Sequence, residues 1–368
     1  MTGARSLRNR LGALAREAAL RLAVLRRPRA GFVVLVMPSQ GRDDGAANLR
    51  GYCVADYLNA HGWTAFVCPK HLSLRQRRRV VRALRPDVIL MQSARHAANR
   101  PANFPGTPVV LDIDDADYLA EHSRGAVDEC LRDSAAVIAG SRTVAQYCRA
   151  RNSDVTVIWT GSPPSPQTPP PQDQRGRVVT WAASGPTTYP LEAAFVEDVL
   201  RLAAGRTDPF QFLLFADDGS PAYEALVQRF AATGVEVVRR PYLAYPAYLA
   251  ELGTVAVGLA PLVALDGFSS GKSFGKVLAY LDQGVAIITH PVVDHPLFFR
   301  DRENAILADG AEAWADMVVR LLDDAAFRQR LSDAGRADFL TRLSTAEAAS
   351  RVRDVLERVV KSRANDAP

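Results

Sequence analysis

From residue 32 onward, short runs of β-branched and aliphatic residues alternate with stretches in which apolar side chains recur every three or four positions. Phe32 to Met37 reads as a strand, the loop Pro38 to Asp44 follows, and Gly45 to Ala60 is helical and stops at Gly62. Val88 to Met91, Pro108 to Ile113, Ala135 to Ala139 and Val155 to Trp159 are further strands, with helical segments between most of them. Such alternation predicts a parallel sheet covered by helices. Pro163 to Gln172 then places six prolines in ten residues, a composition that helix interiors and central strands reject. It reads as a stiff extended connector and a domain boundary.

After it the pattern restarts. Val178 to Trp181 is a strand, followed by the small-residue loop Ala182 to Thr188 and a helix from about Pro190; Phe210 to Phe215, Val235 to Val238, Val255 to Leu259 and Val285 to Thr289 supply further strands. The expected fold class is α/β: two Rossmann-like doubly wound domains facing a cleft, with an N-terminal amphipathic helix. The expected boundaries are a basic helix at 1–30, a first domain at 31–162, a Pro-rich linker at 163–176, a second domain at 177–343 and a C-terminal helix and tail at 344–368. Thr345 to Lys361 is long enough to cross back toward the first domain.

The chain has 368 residues, 48% apolar and 23% charged, which is the composition of a globular protein with room for more than one core. Cys53, Cys68, Cys130 and Cys148 are scattered and form no C-x-x-C pair, so a disulfide framework is not expected and a reducing cytoplasm fits. The net charge of +5 is distributed unevenly. Residues 1–30 hold eight arginines against the single acid Glu17, giving +7, so the remainder carries 5 − 7 = −2. Leu7, Leu11, Leu14, Ala18, Leu22 and Leu25 form one stripe of that leader. Arg16, Glu17 and Arg21 interrupt the apolar run a secretory signal would need, and no stretch elsewhere reaches the roughly 18 apolar residues of a membrane span. The leader either lies on an anionic cytoplasmic leaflet or docks on the protein's own body or a second copy. With the body not basic, nucleic acid is not an expected partner.

Doubly wound sheets gather ligands where the carboxyl ends of strands open onto loops. The loops to search are therefore Pro38 to Asp44, Gln92 to His96, Asp112 to Asp117, Ala182 to Thr188 and Asp266 to Ser273. The last follows the strand in Val255 to Thr289 and leads into a helix expected to start at Ser273. Free amides at that start, the helix dipole and the Lys272 ammonium together suit a diphosphate, with no metal required; Lys276, one turn on, either reaches the same anion or faces solvent. Gly271-Lys272-Ser273 imitates the end of a P-loop, but the position that must be glycine is Asp266, and the loop begins several residues after its strand.

The spaced run Leu259-Ala260-Pro261-Leu262, Phe268, Lys272-Ser273, Lys276, Tyr280 and Gly284 resembles the donor-binding segment of GT-B fold glycosyltransferases, specifically bacterial members of the retaining family 4. Looser matches lie at Gly45 to Gly62, Asp133 to Ser141, Trp181 to Thr188 and Pro291 to Leu307, so the resemblance runs from about residue 32 to 335. It implies transfer of a sugar from a nucleotide sugar to a glycan or lipid-linked acceptor, retaining and metal-independent, in bacterial surface polysaccharide or glycolipid synthesis. The donor would be held mainly by the second domain and the acceptor mainly by the first, on the cytoplasmic side and peripheral to the membrane through residues 1–30, with no separate cofactor.

On that resemblance Lys272, the Ser273, Phe274 and Gly275 amides, Lys276, and Ser184 with Gly185 contact the leaving diphosphate, whose growing charge they offset. Arg239 adds charge and Tyr242 stacks on the base. Family members commonly carry glutamates where this chain has Ala279 and Gly271; Asp282, one turn beyond Ala279, is the substitute the helix offers, or else a solvent-facing acid at a helix end. In the first domain the resemblance places Gly45, Asp114 and Asp115 at the acceptor, and Asp112 and His96 join Lys272 as candidate catalytic groups. Read from residue types alone, Asp112 to Asp117 is either a carboxylate site or a turn and cap built on local hydrogen bonds, and a lone histidine is more often structural. The loss of both glutamates leaves a second reading, a degenerate binding partner that kept the fold without turnover.

Overall fold

The computed structural model describes Gly12, residues 15–20, Leu22, 31–263, Leu265, 267–272 and 274–365. These fall into two compact units: the described residues up to Pro163 together with those from Thr345 onward, and Pro164–Ser344.

The first unit is built on six parallel strands, β1 (Val33–Met37), β2 (Thr64–Val67), β3 (Val88–Gln92), β4 (Val109–Ile113), β5 (Ala136–Ala139) and β6 (Val155–Val157), in the order β2-β1-β3-β4-β5-β6. β1, β3, β4 and β5 are buried along their whole length, which is why they read as continuous apolar runs rather than alternating ones. β2 was not singled out in the sequence, although Gly62 and Pro69 bracket it, because its four residues are too short a run to show a period of their own. One face is covered by α2 (Leu74–Leu84), α3 (Glu121–Asp133) and α4 (Arg142–Arg149), through Val80, Leu84, Val127, Leu131 and Val144. The other is covered by α1 (45–60) and by the C-terminal helix α12 (Thr345–Asn365), through Val54, Leu58, Ala349, Val352 and Leu356. Within α1 the stretch Asn48–Tyr52 is π-helical.

Of the leader, residues 15–20 are helical. Buried Glu17 pairs with Arg79 of α2 at 2.8 Å, and Leu20 packs against the core beneath, contacts that belong to the docked reading of this segment. Apart from Gly12 and Leu22, the remainder of the leader lies outside the described residues.

The second unit is a parallel sheet of β7 (Val178–Thr180), β8 (Gln211–Asp217), β9 (Glu236–Pro241), β10 (Val257–Ala260), β11 (Ala286–Thr289) and β12 (Ile306–Leu307), ordered β12-β11-β10-β7-β8-β9. Its core gathers Val196 and Leu200 of α5 (Pro190–Ala203), Phe230 of α6 (Pro221–Ala231), Trp314 and Val318 of α10 (Ala311–Asp323), and Phe327 and Leu331 of α11 (Ala325–Arg342). The Pro-rich segment is held against this unit. The Ser165 amide donates to Asp282 at 2.9 Å, fully buried Gln172 bonds Ser332 and Arg328, and Arg175 donates to the carbonyls of Pro170, Val255 and Gln283.

The helix expected from Ser273 begins later. Phe274 to Val277 form a turn, and α8 is the five-residue piece Leu278–Asp282. Gly275 and Lys276 precede it, and the bulky Phe274, buried among His295, Phe298 and Phe299, pins the turn from the core side.

Candidate functional site

The strand order of the second unit reverses between β7 and β10, so the crevice outside their carboxyl ends is the ligand position this topology creates. Two features of the sequence assemble it. Gly258 in β10 lets the Tyr280 ring lie against the strand, since a Cβ there would come within 2.8 Å of ring carbons. The buried Tyr280 hydroxyl then accepts the Ala182 amide proton at 2.7 Å, joining the end of β7 to α8. The loop carrying Ser184 and Gly185 starts there; Ser184 is exposed and Gly185 half-buried.

Across from it, buried Glu192 in the first turn of α5 accepts from the Ser269 hydroxyl at 3.2 Å and so tethers the turn Phe268–Gly271. Lys276 lies with its ammonium 3.8 Å from the centre of the Tyr189 ring. Burial, and then the neighbouring Lys272 charge, lower its pKa to about 8, with Glu192 acting in the opposite direction. Lys276 thus lies near both the Lys272 charge and the buried Glu192 carboxylate. An anion entering here would find two ammonium groups and would restore the Lys276 proton. Ser273 lies outside the described residues.

Other candidates of this unit are placed elsewhere. Phe274 serves as a core anchor. Asp282 is corrected outright: it is completely buried, and its carboxylate accepts from the Ser165 amide and from Gln283 at 3.0 Å. Neither a ribose-binding nor a solvent-facing acid is left, because α8 turns its end into the linker. Arg239 was expected just past its strand but stands within β9, where Asp217 and Glu224 hold its guanidinium at 2.8 and 2.9 Å. Tyr242 follows β9 and is 74% exposed, at the sheet edge, with β8 between it and β7. His290, not singled out in the sequence as a site residue, accepts the Leu262 amide proton at Nδ1 and is packed against Phe195 and Trp314, and burial lowers its pKa.

In the first unit the aspartate loop is closed on itself. Asp112 is buried at the end of β4 and is gripped bidentately by Arg50, whose Nε lies 2.9 Å from Oδ2; the same guanidinium donates to the Ile158 carbonyl and to Thr160. Burial works against the Arg50 charge, but Asp112 and Asp114 outweigh it and hold the proton more tightly than usual. Asp112 is therefore a structural counter-ion and not a free base. Asp114 accepts from Thr160 at 3.0 Å and leans on Gly140, where a Cβ would meet its carboxylate. Asp115 and Asp117 both pair with Arg95 at 2.6 Å.

His96 is likewise committed. Its Nδ1 accepts the Ala98 amide proton at 3.1 Å, so Nε2 carries the hydrogen and donates to the Lys70 carbonyl at 3.0 Å. Burial and then Arg77 lower its pKa, and both ring nitrogens are already engaged. Gly45 opens α1 with Asp44 as its N-cap, exposed, and a Cβ there would meet nothing. Among the described residues no group of three acidic, histidine or cysteine side chains could hold a metal ion.

Arg50, Arg95 and Glu192 were missed in the sequence. Two of them carried a signal. Arg50 precedes Val54 and Leu58, and Glu192 precedes Val196, at helical spacing, so each is a charge standing on an apolar stripe.

No family model and no curated protein matches the chain. Solved structures do. A glycosyltransferase from Rickettsia africae aligns with a TM-score of 0.67 at 11% identity, covering 90% of this chain and 99% of that one. Sucrose-phosphate synthase from Thermosynechococcus elongatus gives 0.65 at 13% over 90% and 100%. Anabaena HepE, in a complex with UDP and glucose, gives 0.62 at 15% over 89% and 100%. These similarities establish the GT-B fold, two parallel α/β sheets with flanking helices, that the sequence resemblance implied.

Proposed function

We propose that this protein is a glycosyltransferase that moves a sugar from a nucleotide sugar to a glycan or lipid-linked acceptor, the donor diphosphate being held by Lys272 and Lys276. The observation that supports the reading is the nearness of the Lys272 and Lys276 charges in the segment that follows β10, next to the Ser269–Glu192 contact. Departure of a nucleoside diphosphate builds negative charge at the leaving oxygen, and lysines fixed there stabilise that charge more in the transition state than in the bound donor. In this reading the reaction retains the anomeric configuration and uses the lysines in place of a metal. Neighbours of this fold include HepE bound to UDP-glucose, which makes uridine nucleotides the first to test. The reading places the protein on the cytoplasmic side of the membrane that carries its acceptor.

Saturation-transfer NMR against a panel of nucleotide sugars, UDP-glucose included, tests it. Binding with slow donor hydrolysis, weakened about tenfold to a hundredfold in Lys272→Ala, is expected. Wild-type affinity in Lys272→Ala, or no binding at all, defeats it.

A second reading, a binding partner without turnover, is favoured by one observation: with Asp282 buried and Ala279 and Gly271 in place of acids, α8 presents no carboxylate to a ribose. Tight donor binding with no hydrolysis and no transfer selects it.

A further inference from the structure

Helix α2 carries a row of charge that neither site uses. Its sequence, LRQRRRVVRAL, holds no acid, and its inner face is spent on the sheet through Val80 and Leu84. Arg75, Arg78, Arg82 and the cap residue Arg85 recur at intervals of three and four, so they share one side of the helix, and all four are exposed. The row is about 15 Å long.

No described carboxylate pairs with any of them. Arg78 bonds only the neutral Asn103, and Arg82 only the Arg78 carbonyl. Glu17 of the leader, packed against this helix, is taken by Arg79 on the flank. The row continues at the amino end of α2, where Lys70 bonds neutral Gln40 and the charges of Arg16 and Lys70 act on His71 against that of Asp43.

A flat, single-signed arginine row suits a plane of phosphates, and repulsion within it is relieved when that plane arrives. A bilayer answers the description better than a nucleic acid. Beyond residue 30 the chain sums to −2, so a long polyanion leaving the row would meet a surface with no overall positive charge. Leu22, on the leader helix docked beside Arg79, is exposed, an apolar side chain that a lipid interface accepts. We infer that the outer face of α2, with the leader helix docked along it, seats the protein on an anionic phospholipid bilayer.

The inference stands independently of sugar transfer, since it needs only the surface of the first unit. Flotation of the full-length protein with vesicles of phosphatidylcholine, alone or with phosphatidylglycerol, tests it. Binding is expected only with phosphatidylglycerol, and high salt should release it. Each arginine near such a surface contributes about fivefold, so R75Q/R82Q/R85Q should bind roughly a hundredfold more weakly, while R75K/R82K/R85K retains binding. Equal binding by the glutamine variant with an unchanged unfolding transition, equal binding to neutral vesicles, or displacement by a double-stranded DNA fragment would overturn it.

Discussion

The aspartate loop after β4 and the lysine loop after β10 both follow buried parallel strands and both gather charge, four carboxylates in the first and two lysines after Asp266 in the second, yet they come to opposite ends. Around the first, Arg50 and Arg95 reach in and satisfy Asp112, Asp115 and Asp117 bidentately or as pairs. Around the second, Lys276 is offset by Glu192 and still loses its proton more readily than a lysine in water. A cluster of charge in a sequence is therefore no measure of what is available to a ligand. Availability is what remains after the fold has paired its own groups.

The sharpest way to break this contrast is Arg50→Ala. It leaves Asp112 buried without its counter-ion and should cost about 3–5 kcal/mol in chemical denaturation. If the aspartate loop were instead a working acid–base site, the variant would lose turnover at little cost in stability.

Asp282→Ala comes next. Removing the acceptor of the Ser165 amide should cost about 1–3 kcal/mol and leave nucleotide affinity unchanged in titration calorimetry. Weakened nucleotide binding with normal stability would return Asp282 to the site.

Lys276 gives a pH signature. Its folded pKa, about 8, lies below the ordinary 10.5, so between those values the unfolded chain holds a proton that the folded chain has released. Stability should therefore rise with pH across that window, and Lys276→Met should flatten the rise in thermal unfolding. Diphosphate affinity should fall over the same window, as the ammonium is lost. The smallest effect is expected from Arg239→Ala and Tyr242→Ala, whose nucleotide affinity should stay within about twofold of wild type; a larger loss would extend the site toward the sheet edge.

The doubly wound pattern was legible because parallel strands buried on both faces leave unbroken apolar runs, as in VVLVM and VILMQ. The lysine loop was legible because a polar break between a buried strand and a short helix is conspicuous. The partners of the charges were not. Arg50 meets Asp112 from 62 residues away, and Glu192 meets Ser269 from 77, and no local spacing announces such encounters. Asp282 was misread for a related reason: an acid at a helix end is normally solvated, and only the returning linker makes it a buried acceptor.

Sequence alone determined the alternation of strand and helix and where loops rich in charge would fall, because burial and backbone propensity act over a few neighbouring residues. The tertiary structure alone decided which of those charges are consumed in holding the fold and which are left over, because ion pairing depends on distances that the chain sets only when remote segments meet.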